Sequence, residues 1–281
     1  MRWFRDTGWR HLATLALVVF ALFPIVYLVS ASLNSSGTLV GSNELFSSIT
    51  LSNYQDLFET TNYERWWINS LIVGTTTAVL TAALCALAAY AFSRFRFRGR
   101  RGGLFGLLLV QMFPQLLAYI AIFALLLSFQ EYFPAIGLGT LLGLILVYLG
   151  GALGVNTWLM KGFFDTIPRD IDESAKVDGA GHARTFFTLI LPLVTPIIAV
   201  VGMLSYIATA NDYLIARTVL GDNPDVQTLP VGLYEFISRQ FEQDWGTFAA
   251  GAILGAIPPT IIFFFAQRYI ASGLLAGSVK G

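Results

Sequence analysis

Ile68-Asn-Ser-Leu-Ile-Val-Gly-Thr-Thr-Thr-Ala-Val-Leu-Thr-Ala-Ala-Leu-Cys-Ala-Leu-Ala-Ala-Tyr-Ala-Phe92 contains no Asp, Glu, Lys or Arg. A hydrocarbon core about 30 Å thick is crossed by about 20 helical residues, so this run is long enough to span it. Backbone amides in lipid must find partners within their own segment or in a closed barrel. Barrel strands are shorter and alternate apolar with polar residues. The run therefore reads as a membrane helix. Five others of similar character flank it, from His11 to Leu33, Leu104 to Phe129, Gly139 to Met160, Leu189 to Tyr213 and Phe248 to Tyr269. The fold class expected is an all-α membrane protein with six transmembrane helices.

Composition agrees: 56% of the 281 residues are hydrophobic and 12% are charged, about half the charged share of a soluble domain. Basic and acidic residues balance at 17 each, which gives no basis for binding nucleic acid. Cys85 is the only cysteine. It reads as a small buried apolar side chain, and neither an intrachain disulfide nor a thiolate metal cluster is expected.

Loop charge sets the orientation. With both termini in the cytoplasm, the inside holds Arg2, Arg5, Arg10, Arg94, Arg96, Arg98, Arg100, Arg101, Lys161, Arg169, Lys176, Arg184, Arg268 and Lys280. Only Arg65, Arg217 and Arg239 are left outside. Positively charged loops stay on the cytoplasmic side, so the expected topology is N-in/C-in in a cytoplasmic (inner) membrane. The first apolar run exceeds the roughly 7–15 residues of a signal-peptide core, so it reads as a retained span, although Val29-Ser30-Ala31 resembles a cleavage site.

Ion-coupled secondary transporters place ionisable residues at membrane depth. None stands mid-span here. Asp212, in Asn211-Asp212-Tyr213, reads as an interfacial residue at a helix terminus. His11 and His182 lie at or beyond span ends, which disfavours an intramembrane protease. Gly150, Gly151, Gly154, Gly251 and Gly255 have the spacing of close helix packing, within the chain or against a second membrane subunit. Pro114, Pro192 and Pro196 remove amide donors, so kinks or span ends are expected there. Gln111, Gln115, Tyr119 and Asn211 are candidate wall residues of a substrate path.

The longest inside segment, within 161–189, reads as helix, glycine turn, helix. Asp170 is placed to cap a helix with Glu173 three residues on, and Gly179 to end it in a left-handed conformation. Glu173 and Asp178 are acidic while Ser174 and Ala175 are small. The element reads as a protruding knob for a groove or, equally from physics, as a solvated surface helix.

Glu173-Ser174-Ala175, then Gly179, Leu189 and Leu191-Pro192 at the same spacings, resembles the coupling-loop signature of ABC importer permeases, Glu-Ala-Ala-x3-Gly-x9-Ile-x-Leu-Pro. The departures, Ser174 for Ala and Leu189 for Ile, keep size and character. Leu229-Pro-Val-Gly-Leu233, Asp244-Trp-Gly-Thr-Phe-Ala-Ala250, Ala266-Gln-Arg268 and the tail from Gly273 to Gly281 are similar to the smaller membrane subunit of the maltose/maltodextrin permeases. The resemblance implies a type I ABC importer permease fold over residues 1–281. It implies partners too: a second membrane permease subunit, two ATPase subunits, an external sugar-binding protein, a sugar substrate and the lipid bilayer. ATP and Mg would sit on the partner ATPase, with no cofactor, metal or catalytic residue in this chain. No phosphate loop is present to make it the ATPase. Glu173, Ser174, Ala175, Asp178, Gly179, Leu189, Leu191 and Pro192 would couple to the ATPase.

Outside, the segment 214–247 interleaves Asp222, Asp225, Glu235, Glu242 and Asp244 with Tyr234, Phe236, Phe241 and Trp245. Polar and aromatic groups together suit sugar or protein contact, or an ordered loop resting on its own chain. By resemblance, Ile237, Ser238, Arg239, Gln240, Phe241, Glu242 and Gln243 would reach into the binding protein. The rival readings are a membrane scaffold for a cytoplasmic partner and an ion-coupled secondary transporter.

Overall fold

The computed structural model describes residues 7–35, 44–113, 115–238 and 243–278. Pro114, Arg239, Gln240, Phe241 and Glu242, for which roles were expected, lie outside the described residues, as does the side chain of Gln115. Among the described residues the regular structure is wholly helical. Among the described residues, five helical stretches are long and apolar enough to cross a membrane: Trp9–Ser32, Tyr63–Arg94, Leu141–Phe164, His182–Ala210 and Trp245–Tyr269. The first of these is α1, the second α3 and the third α6.

The third expected span differs. Its sequence is divided into α4 (Arg100–Gln111) and α5 (Gln115–Tyr132), separated at Met112 and Phe113. Cutting the run leaves α4 at 12 residues and α5 at 18, and neither has the length of the other apolar stretches. In the fifth run the prolines act differently. Thr185–Ile190 widens into a π turn just before Pro192, and α9 (Leu191–Ala210) continues through Pro196 without ending. A proline ring crowds the carbonyl four residues back, and a widened turn relieves that clash while keeping the helix going.

The chain forms two compact units. In the first (Met1–Glu64 and Val231–Ile257), α1 and α2 (Ser52–Thr60) pack on α12 (Trp245–Gly255). Buried Asn53 donates to the carbonyls of Ser32 and Asn34 at 2.8 and 2.9 Å, which satisfies the end of α1. Tyr63 donates to the Gly251 carbonyl at 2.9 Å. A Cβ on Gly251 would run into Leu233 and Tyr63, so this glycine allows the close approach that its spacing indicated. The middle of α1 leaves Leu17, Val19, Phe20 and Phe23 exposed, as a lipid-facing helix must.

The second unit (Arg65–Pro230 and Pro258–Gly281) holds the main core. Cys85, Ala86, Ala89 and Tyr90 of α3 meet Met160 and Phe164 of α6, Phe186 and Ile190 of the π turn, and Val194 and Val201 of α9. Cys85 is buried there, and the Thr157 hydroxyl donates to its sulfur at 3.6 Å. The α4–α6 contact depends on Gly154, where an added Cβ would stand 2.6 Å from Gln111 Cγ and 2.9 Å from the Leu107 carbonyl oxygen. Gly150 and Gly151 face open space.

Candidate coupling loop and external segment

The motif centres on α7 (Asp170–Val177). Its N-terminus corrects one expectation. Asp170 lies inside the first turn rather than capping it; Arg169 takes the cap position in helical conformation and makes no side-chain cap bond. Asp170, Asp172 and Glu173 still place three carboxylates at the positive end of the helix.

The other end is closed by Gly179 at φ +77°. The Gly179 amide donates to Lys176 at 3.0 Å and the Ala180 amide to Ala175 at 2.8 Å, the paired bonds of a Schellman motif. After Gly181 the chain turns into α8 (His182–Arg184), which runs through the π turn into α9. Leu189, Leu191 and Pro192 thus stand on a continuous helical rod, and Leu191 packs against the core.

Side-chain direction sorts the signature residues. Glu173, Ser174, Asp178 and Gly179 are exposed, and so is Val177, at 87%. Ala175 faces inward at 3% exposure, so its small size serves packing inside the chain rather than a partner's approach. Val177 was missed from sequence; its offset of one turn from Glu173 puts it on the same face, which is the signal that would have found it.

The loop is also held by α3. Arg94 forms an ion pair with Asp172 at 2.9 Å, the two side chains being 7% and 14% exposed. Through a different guanidinium nitrogen, Arg94 donates a hydrogen bond to the Ile167 carbonyl at 3.0 Å. Arg169 reaches the Ser93 carbonyl at 3.3 Å, and the Ser93 hydroxyl donates to Asp165 at 2.7 Å. Partial burial opposes the Asp165 charge, but hydrogen bonds from Lys161 and Ser93 outweigh it, so its carboxyl is held below its ordinary range. Beside this polar layer Tyr90 packs against Phe186 with tilted rings at 4.9 Å between centres, and Phe95 meets His182 edge-on at 5.0 Å. A cavity of about 100 Å³ remains between Tyr90, Arg94, Asp172, Lys176 and His182.

The external segment is more ordered than a loop. It contains α10 (Leu214–Leu220) and α11 (Leu229–Ser238). Asp212 accepts from the amides of Ile215 and Ala216 at 2.9 and 3.1 Å, capping α10, and from the Tyr148 hydroxyl at 2.9 Å. It is a helix-end residue. Asn69 donates to the carbonyls of Asp225 and Gln227, Ser70 accepts from the Leu229 amide, and Arg65 pairs with Asp225, all of which pin the connection before α11 to α3. Asp244 caps α12 by accepting from the Thr247 amide at 2.9 Å. Of the residues expected to touch a binding protein, Ile237, Ser238 and Gln243 are described, and Gln243 donates to the Ile237 carbonyl at 3.1 Å.

Gln111 is spent on the Gly151 carbonyl, Asn211 is exposed and bonds back to Ile207 at 2.9 Å, and Tyr119 is half-buried on α5.

Comparison with known proteins gives the class to which apolar helices joined by this helix-turn-helix loop belong. Residues 78–275 match the family described as binding-protein-dependent transport system inner membrane component, and the chain belongs to that family. It is a permease subunit, not itself an enzyme. It is 39% identical to the maltodextrin transport system permease protein MdxG of Bacillus subtilis, over 94% of this chain and 93% of that one. It is 40% identical to the galactooligosaccharides permease protein GanQ of the same organism, over 94% and 92%. MalG of Vibrio vulnificus, a maltose/maltodextrin permease protein, is 37% identical over 96% and 95%. In fold, the chain is similar to a bacterial ABC transporter for import of the acidic polysaccharide alginate, with TM-score 0.74 at 22% identity over 96% of this chain and 98% of that one. A second alginate transporter structure, in complex with a pentasaccharide-bound periplasmic protein, gives TM-score 0.65 at 17% identity over 95% and 96%.

Proposed function

We propose that this chain is one membrane half of an ATP-driven, binding-protein-dependent importer of oligosaccharides, of the maltose/malto-oligosaccharide class. The observation that carries the reading is α7. It is an eight-residue helix sealed by Gly179, exposed along Glu173, Ser174, Val177 and Asp178, and linked through an unbroken helical rod to α9. Such an element can pass rigid-body motion from a cytoplasmic partner to the spans. Two ATPase subunits carrying ATP and Mg supply that motion, a second permease subunit completes the path, and an external binding protein delivers the sugar. The likeness to MdxG and MalG along most of the chain supports the sugar class.

In this reading the chain crosses the inner membrane six times, α4 and α5 making the third crossing in series, with both termini in the cytoplasm. The direction rests on the arginine-rich turn between α3 and α4 and the basic residues around α7. Glu173, Ser174, Asp178 and Gly179 contact the ATPase, joined by Val177; Leu189, Leu191 and Pro192 transmit the motion. Outside, the segment from Ile237 to Gln243 contacts the binding protein. Gln111, Gln115, Tyr119 and Asn211 line the substrate path.

Reconstitution with the ATPase, the second permease subunit and the binding protein tests the proposal. ATP hydrolysis is expected to rise with sugar-loaded binding protein, most with malto-oligosaccharides. Stimulation by galacto-oligosaccharides alone would reassign the sugar, as the GanQ likeness allows. Glu173→Lys is expected to reduce transport and stimulated hydrolysis at least tenfold while membrane insertion is unchanged; full transport by this variant would refute the coupling role.

A further inference from the structure

Burying an ion pair is costly unless its geometry is good, and breaking one by removing a single partner is worse, because the survivor stays buried and unpaired. The Arg94–Asp172 pair, at 2.9 Å and 7% and 14% exposed, is therefore not an ordinary surface contact; Arg94 Nε and Asp172 Oδ2 are not aligned as a hydrogen bond, so the attraction between them is Coulombic. It joins the last residue of α3 to the first turn of α7, two elements with no covalent reason to move together. Arg94 grips the loop a second time, at the Ile167 carbonyl before α7 begins. Arg169 returns the grip by reaching the Ser93 carbonyl of α3. The loop is thus clamped on both sides of Pro168, and the clamp lies on the face of α7 turned away from exposed Ser174 and Val177.

We propose that Arg94 and Asp172 are positioning residues that latch α7 to α3, so that movement of α7 drives α3 together with α9. The inference rests on the coupling role proposed above. It adds a second output: α9 is moved through the peptide chain, whereas α3 is moved through this pair. The core gives the motion a path, since Tyr90, one turn before Arg94, packs in tilted contact against Phe186 of the π turn. With the latch closed, α3 and the foot of α9 move as one body. With it broken, α7 turns while α3 stays behind.

The test uses the full transporter, with subunit assembly measured by co-purification and the readout being sugar moved per ATP hydrolysed. Coupling energies between sites correspond to about 5-fold to 150-fold effects. Asp172→Asn keeps size and polarity, and Arg94→Ala removes the donor; each is expected to lower the ratio at least fivefold in assembled complexes. The double variant should be no worse than either single one, because partners in one contact are non-additive. The charge-swapped pair Arg94→Asp with Asp172→Arg should recover part of the loss. A residue that merely supports folding would lower the yield of complex and leave the ratio alone. If Arg94→Ala fails to assemble, Asp172→Asn and Arg94→Lys decide: the first should uncouple, and the second, which keeps the charge, should retain most of the ratio. A wild-type ratio in Asp172→Asn, or losses that multiply in the double variant, would overturn the latch. Gly179→Leu separates the two claims. Should it keep the wild-type ratio, the coupling role fails and the latch with it; should it uncouple while Asp172→Asn does not, only the latch fails.

Discussion

Gly179 shows how much one backbone conformation carries. Its φ of +77° lies where a side chain is strained, and both bonds that close α7 depend on that conformation. Space around it is open, so the cost of substitution is conformational rather than steric. Gly179→Ala is expected to cost about 1 kcal/mol locally, and Gly179→Asn less, because Asn tolerates the left-handed region. Hydrogen exchange of the Gly179 and Ala180 amides would measure this, with faster exchange in the alanine variant. Asp165 gives a pH dependence. Its folded carboxyl is shifted down, so its stabilising contribution is present above the unfolded carboxylate value of about 3.9 and is lost as pH falls through the lower folded value. Thermal unfolding in detergent below about pH 4 should therefore fall more steeply in the wild type than in Asp165→Asn.

Among the elements, glycines of similar spacing divide by what they face. Gly154 brings α6 against Gln111 and the Leu107 backbone, whereas Gly150 meets nothing within 4 Å. Gly154→Ala is expected to destabilise by about 1–3 kcal/mol, the usual cost of overpacking, while Gly150→Ala stays close to wild type. Relative melting temperatures of the two variants check it. Sequence spacing marked all of these glycines alike, because the small-residue pattern reports a possible approach without naming the neighbour. Prolines behaved in the same way. Pro192 and Pro196 were each expected to kink or end the span; the helix widens between Thr185 and Ile190 just before Pro192 and continues through Pro196. Which outcome wins depends on the packing of Phe186 and Ile190 into the core, which keeps that turn helical.

For the whole molecule, the proposed topology makes a direct prediction. In a variant with Cys85 replaced, a single cysteine at Asp178 should react with a membrane-impermeant thiol reagent only from the cytoplasmic side, and one at Asp222 only from outside. Labelling of both from one side would refute N-in/C-in. The apolar runs were legible in the sequence because a membrane helix needs only an uninterrupted stretch without charge, and the glycine-ended knob was legible because caps and turns are local. Asp170 was misplaced by one position for the opposite reason: a first-turn acid and a capping acid look alike when only spacing is seen.

What the sequence determined by itself, then, is the helical membrane class, the charge bias of its loops and the motif from Glu173 to Pro192, all set by neighbours along the chain. Tertiary structure decided the rest. It turned Ala175 inward and Val177 outward, spent Asp212 on the end of α10, divided the third apolar run, and brought Arg94 to Asp172. Those outcomes depend on which surfaces meet after the helices pack, and contacts between residues far apart in the chain leave no periodicity to read.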